Sequence, residues 1–259
     1  MTTTALVTGA SSGIGAALAR LHAAKGGNLL LVARRQDRLD RLRRDLETDH
    51  GVSVHTIAMD IGGVGAAAQL HRQVKEMGHS IGILINNAGF GGRGHHIDRD
   101  LTAEQAMIEL NILSLMTLTR LFAADMVAAG GGRVLNVGST AGFMPGPKQA
   151  VYFATKAFVN SYSRALNEEL RPRGVSVTVL APGYVETEFA QVADLHGTHL
   201  TRSGATAESV ARIGYQAMME GKLIAINARG LNVALNWVVP LVPRRLMLKL
   251  VAALQSKSS

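Results

Sequence analysis

Short apolar runs alternate with longer amphipathic stretches along most of the chain. Runs rich in Leu, Val and Ile, bounded by glycine or polar turn residues, predict strands near residues 4–8, 28–33, 53–58, 82–85, 132–137, 174–180 and 223–227. Apolar positions at helical spacing predict helices near 14–26, 37–49, 64–77, 102–128, 150–171 and 206–220. Strands alternating with helices imply right-handed crossovers and a parallel sheet covered on both faces. The expected fold class is therefore α/β: a single doubly wound Rossmann-type domain over residues 1–259, with a mostly parallel seven-stranded sheet. Residues 228–259 form a helical extension after the last strand. Pro243 suits a helix start, and Leu246, Met247, Leu250, Val251 and Leu254 make one apolar stripe, with Arg245 and Lys249 on another face. Packing over a pocket or onto a partner subunit is the favoured role of this stripe. Membrane contact through the tail, as an interfacial helix on anionic lipid, is the disfavoured one.

The length of 259 residues is ample for a deep core, and no proline- or serine-rich linker or internal repeat divides it. The chain has no cysteine, which excludes disulfides, thiolate catalysis and thiolate metal sites. The first strand starts within about four residues of Met1, and the charge-free run from Gly230 to Pro243 is short and proline-broken, so a cytoplasmic protein is expected. The net charge of +8 is concentrated between Arg34 and Arg44. There Leu39, Leu42 and Leu46 recur at helical spacing, acids interleave with the arginines, and no aromatics do. That is the pattern of a solvated helix surface, and no nucleic-acid partner is expected. His95 and His96 are adjacent in a glycine-rich loop with no third ligand at useful spacing, so no metal is expected.

Tyr152 and Lys156 stand four residues apart in a predicted helix, and Ser139 lies thirteen residues before the tyrosine. Positions i and i+4 share one helix face, so the ammonium can sit beside the phenol. A free phenol titrates near ~10, and a cation within about 4–6 Å lowers that value. Ser139 follows the strand-like Arg133–Val137, so its hydroxyl emerges at a strand's carboxyl end, where open α/β sheets bind ligands. Near the amino terminus, an apolar strand breaks into Gly9-Ala10-Ser11-Ser12-Gly13-Ile14-Gly15 and continues as a helix. Such a turn lets the backbone approach a pyrophosphate, with the helix amino terminus supplying N–H groups. An NAD site places an acidic residue about 20 positions further on. Here strand two ends Leu31-Val32-Ala33-Arg34-Arg35, with two guanidiniums suited to a 2′-phosphate. NADP(H) is the favoured cofactor; the alternative has Arg34 and Arg35 merely starting the basic helix and Asp37 serving NAD.

Together these motifs make the chain resemble the short-chain dehydrogenases/reductases, from about Thr4 to Ile226. The resemblance also rests on Asp60, Asn86-Asn87-Ala88-Gly89, Asn111, and Pro182-Gly183 followed by Thr187. It implies hydride transfer between the nicotinamide and a ketone, aldehyde or secondary alcohol. Tyr152 would be the general acid or base, Lys156 would tune it and bind the nicotinamide ribose, Ser139 would bond the carbonyl oxygen, and Asn111 would complete a proton relay through water. Asp60 and Ile61 would lie near the adenine, Asn87, Ala88 and Gly89 would line the cofactor, and Pro182, Gly183, Val185 and Thr187 would hold the carboxamide and phosphates. Phe143, Met144, Phe153, Tyr184, Phe189 and the stretch from Gln191 to Arg202 are candidate pocket walls, mostly apolar and suited to a hydrophobic small-molecule substrate. Family members usually pair their two long helices, so a homodimer or homotetramer is expected, through about 112–128 and 150–171. Two other readings stay open: a non-catalytic NADP(H)-binding sensor, and a peripheral membrane or partner-binding protein using its basic tail.

Overall fold

The β-branched and leucine-rich runs become strands because both of their faces are buried. The computed structural model describes residues 3–198, 201, 204–227 and 234–256. Within them lie strands β1 (Thr4–Thr8), β2 (Asn28–Ala33), β3 (Val54–Ala58), β4 (Ile81–Asn86), β5 (Gly132–Val137), β6 (Val175–Leu180) and β7 (Ile224–Ala225). They form one sheet in the order β3-β2-β1-β4-β5-β6-β7, and every pair in it is parallel. Between the strands run α1 (Gly13–Ala23), α2 (Gln36–His50), α3 (Ala66–Glu76), α4 (Leu101–Ile108), α5 (Leu115–Ala128), α6 (Ala150–Leu170), the short α7 (Phe189–Val192), α8 (Ala207–Met219) and, last, α9 (Arg244–Leu254).

Alternate residues of a strand point to opposite faces, and the core divides accordingly. Ala5, Val7, Leu29 and Leu31 pack with Leu18 of α1, Leu39 of α2 and Val210 of α8. Leu6, Leu30 and Leu84 pack on the other side with Leu70 of α3 and Leu118 and Phe122 of α5. The sheet is thus covered on both faces, as its continuous apolar strands require. In α2 the leucines at 39, 42 and 46 are buried, and its arginines stand on the remaining faces. Strand order reverses direction between β1 and β4, which opens a crevice above their carboxyl ends.

The stretch 102–128 departs from the expected single helix. Residues Glu109–Ser114 wind as a π-helix between α4 and α5. Two side-chain anchors accompany this wider turn: Asn111 bonds the Phe90 backbone in both directions, and the Ser114 hydroxyl donates to the Ile61 carbonyl. The run Leu101–Ala128 is long and apolar enough to cross a membrane. In this fold α5 lies against β4, β5 and α3, with Leu115, Leu118, Phe122 and Met126 buried.

The tail's apolar stripe is divided between two environments. Val251 is buried, whereas Leu246, Leu250 and Leu254 remain about half exposed, and Trp237 stands out in solvent. Residues 228–233 and 257–259 of the expected extension lie outside the described residues.

A buried histidine joins the amino terminus to α8. The ring nitrogens of His22 lie 3.0 Å from the Tyr215 hydroxyl and 3.1 Å from the Thr3 carbonyl. Burial holds this imidazole below its ordinary pKa, although backbone contacts with Thr3 and Asn28 pull the other way. The unfolded chain therefore takes up the proton first as pH falls. His22's contribution is full above pH ~6.5 and is lost as pH drops from there towards the lowered folded value. Urea denaturation should show stability falling below that point, with a shallower fall in His22→Gln. Identical pH slopes for the two proteins would show that His22 titrates alike in both states.

Candidate active site

The chain leaves β1 at Thr8, turns through Gly9 at φ 65°, and enters α1 at Gly13. Only glycine tolerates that turn comfortably. At Gly15 the limit is space, since a Cβ would stand 2.4 Å from the Gly9 carbonyl oxygen and 2.5 Å from Asn87 Nδ2. The turn is therefore packed backbone to backbone, with Ser11, Ser12, Gly13 and Ile14 on the cleft side. Ser12, at the N-cap, makes no side-chain capping bond, so its hydroxyl does not occupy the first-turn amides of α1. Such a helix end accepts a phosphate, and the cradle fits a dinucleotide.

Asn87 fastens this loop to β4. Its Nδ2 donates to the carbonyls of Thr8 (3.0 Å) and Gly9 (3.1 Å), while the Thr8 hydroxyl accepts from the backbone N–H groups of Asn87 and Ala88. Ala88 and Gly89 then form the cleft wall. The two arginines after β2 differ. Arg35 donates to the hydroxyls of Ser11 (3.1 Å) and Ser12 (3.0 Å) and pairs with Glu188 at 2.9 Å. Arg34 is mostly exposed, with its nearest acid, Asp60, 3.9 Å away. Hydrogen bonds from Arg35 and Arg38 push the Glu188 carboxyl down to about 2. Asp60 accepts from the Gly62 amide, and Ile61 beside it is buried.

Ser139 stands just beyond β5, where its hydroxyl accepts from the Ala141 amide at 3.1 Å and starts a helical turn over Thr140–Phe143. Asn160 Nδ2 holds the Ser139 carbonyl at 2.9 Å. Tyr152 and Lys156 lie one turn apart on α6. Lys156 Nζ donates to the Val137 carbonyl at 2.8 Å and sits 5.8 Å from the centre of the Tyr152 ring. Burial pushes the phenol up to about 12, opposed by a hydrogen bond with Ser139, and pulls the lysine down to about 8. The expected lowering of the phenol by the lysine is not found here. The ammonium is bonded to the strand carbonyl and desolvation dominates both groups.

Asn111 is buried behind the cleft instead of lining it. Its Nδ2 donates to the Phe90 carbonyl (2.9 Å) and to the Thr155 hydroxyl (3.1 Å), which in turn bonds the Tyr152 carbonyl. It thereby ties the segment after β4 to the helix bearing the tyrosine. Beyond β6, the Gly183 amide donates to Asn227 Oδ1, Val185 bridges Ala205, and the Thr187 side chain lies against Gly13. Pro182, Gly183, Val185 and Thr187 so form the opposite wall of one cleft of about 730 Å³.

Met144, Tyr184 and Phe189 also line it, the Phe189 ring centred 5.4 Å from that of Tyr152. Phe143 does not line it, because the turn after Ser139 carries it to one side; Phe153, named among the candidate walls, does. His199, Leu200 and Arg202 of the expected pocket stretch lie outside the described residues. Val251 and Leu254 of the tail's apolar stripe also line the cleft, and Gln149, Glu188 and Gln255 do so without having been expected there. Gln149 had a signal, three positions before Tyr152 and so on its helix face. Gln255 had none, since only the docking of α9 brings it in. His96 lies 3.7 Å from the Glu104 carboxylate.

Residues 3–196 match the family model described as short chain dehydrogenase. The chain belongs to that family. Over 252 residues it is 30% identical to a very-long-chain 3-oxoacyl-CoA reductase of Macaca fascicularis, covering 95% of this chain and 77% of that protein. Over 189 residues it is 38% identical to sulfoacetaldehyde reductase 2 of Chromohalobacter salexigens, covering 72% and 74%. A short-chain dehydrogenase from Sphingobium yanoikuyae, solved in complex with NADPH, superimposes with a TM-score of 0.84 at 32% identity, covering 92% of this chain and 93% of that one. This short-chain dehydrogenase is accordingly an oxidoreductase acting on carbonyl or alcohol groups, and the structural neighbour it superimposes on holds NADPH.

The unequal placement of the two arginines has a measurable result. Arg35→Ala removes a guanidinium fixed against the glycine loop and should weaken NADPH binding by about 10-fold or more, as expected of a charge-assisted contact. Arg34→Ala should weaken it by no more than about 2-fold, in keeping with an exposed charge. Fluorescence titration of NADPH checks both, and equal losses would contradict the assignment.

Proposed function

We propose that this protein is an NADPH-preferring reductase of apolar ketones or aldehydes, reversible towards secondary alcohols, with Tyr152 as general acid. One observation carries the reading. Ser139, Tyr152 and Lys156 converge in the cleft between the dinucleotide cradle and walls made of Met144, Phe153, Phe189 and Val251. NADP(H), when bound, supplies or accepts the hydride.

The chain's own residues handle the oxygen and its proton. Ser139 would hold the carbonyl oxygen by a hydrogen bond that strengthens as negative charge grows on it. A phenol held near about 12 is protonated at neutral pH, the form that can donate to an alkoxide. Lys156, near about 8, remains largely charged at neutral pH and places a cation beside that proton transfer. Asn111 would act through position, keeping the Phe90 backbone and the α6 backbone in register. For cofactor choice, Arg35 supports NADPH over NADH, because its guanidinium lies with the Ser11 and Ser12 hydroxyls at the loop. The relatives differ in what their names say they reduce, one an acyl thioester and the other a small sulfonated aldehyde, so the apolar walls carry the substrate class. A homodimer fits the exposed Ile108, Leu113 and Met116 near α5 and the stacked Phe158–Tyr162 pair on α6.

Two experiments test this. NADPH oxidation over a panel of apolar ketones and aldehydes should reveal turnover that Tyr152→Phe lowers by at least ~10²-fold while NADPH still binds; near-wild-type turnover in that variant would remove Tyr152 from the chemistry. Light scattering at micromolar concentration should give at least twice the 27.4 kDa chain mass, and a monomer mass would refute the pairing.

A further inference from the structure

The carboxyl end of the chain closes on the residues that introduce α6. Lys148 Nζ donates to the Ser256 hydroxyl at 2.9 Å, and Gln149 Nε2 donates to Gln255 Oε1 at 2.6 Å. Both glutamines line the cleft, with relative exposures of 3% and 0%. Their mutual bond uses one polar atom of each, and Gln149 Oε1 and Gln255 Nε2 are buried without a partner. Turning both amides over would exchange the roles and still leave one acceptor and one donor. Phe153 and Val251, each one helical turn from one of the glutamines, line the same cleft, as do Met144 and Leu235. Gln149 also precedes Tyr152 by three positions, about 4.5 Å of helix rise, so the pair adjoins the reacting centre.

A buried amide pair in an apolar wall is costly unless both free atoms are met. One chemical group meets them together: a group that donates to one amide oxygen and accepts from the other amide nitrogen. We infer that Gln149 and Gln255 form a two-point reader for a second polar group on the substrate, a hydroxyl or secondary amide, carried by an otherwise apolar carbonyl compound. The inference rests on the reductase reading of the cleft and narrows its substrate class. Because Gln255 arrives on the tail, the reader exists only when that tail is docked.

The test uses the full chain with NADPH and apolar ketones bearing one hydroxyl two to five carbons from the carbonyl, each beside its deoxy analogue. For at least one hydroxyl position, kcat/KM should favour the hydroxy ketone by about 10-fold or more, since a site built to bond a hydroxyl rejects the analogue lacking it. Gln149→Met and Gln255→Met, similar in volume and apolar, should each bring that ratio to within about 2-fold, and the double variant should change it no further, as for two groups acting as one unit. A wild-type ratio near one at every position, or a preference that survives Gln255→Met, overturns the reader. Calorimetric affinities of the same ketone pairs for the NADP⁺-loaded protein separate the two claims. Tighter hydroxy-ketone binding that is lost in Gln255→Met, with no turnover of any carbonyl, keeps the reader and sinks the reductase. Equal affinities within every pair sink the reader alone.

Discussion

Four hydrogen bonds between Thr8–Gly9 and Asn87–Ala88 tie β1 to β4 where their connections part to opposite faces of the sheet. An open sheet is free to splay at that point, and the cleft lies directly above it. By holding the glycine turn against the end of β4, Asn87 fixes the distance between the phosphate cradle and the Ala88–Gly89 wall. Gly15 can then pack within contact of Gly9 and Asn87, which sets the pitch of α1 as it leaves the sheet. The loops after β5 and β6 build outwards from that fixed edge.

Much of this architecture is legible from residue type, because strand burial and helix periodicity are local properties. All seven strands fall within about two residues of where the apolar runs place them, and the long helices keep their expected faces. Legibility fails where one segment's structure depends on another distant in sequence. The π-turn at Glu109–Ser114 is accompanied by bonds from Asn111 to Phe90 and from Ser114 to Ile61, neither partner being close along the chain. Glu188 acquires its role from Arg35 and Arg38, some 150 positions away, and Gln255 from Gln149. Phe143 fails for a smaller reason: a 3₁₀ turn changes which residue of a short loop faces inward.

The chemistry at Tyr152 shows the same competition at atomic scale. Helical spacing correctly brings the lysine within one turn of the phenol, yet spacing says nothing about solvent. Burial acts on both groups and drives their proton affinities in opposite directions, the phenol upward and the ammonium downward. The two values therefore move apart, to about 12 for the phenol and about 8 for the ammonium, the reverse of what an exposed pair of opposite charges would give.

The π-turn has a consequence for the way this chain can vary. One additional residue in a turn sets every later side chain back by about 100° around the helix axis. The buried face of α5, with Leu118, Phe122 and Met126, is phased to that offset. Relaxing this segment to a regular helix with its length kept would rotate that face off the sheet, whereas deleting one residue between Glu109 and Ser114 removes the extra residue and leaves the face in phase. Homologous chains should therefore exchange residues freely at the exposed positions of this turn, and should lose the wide turn only together with one residue of its length.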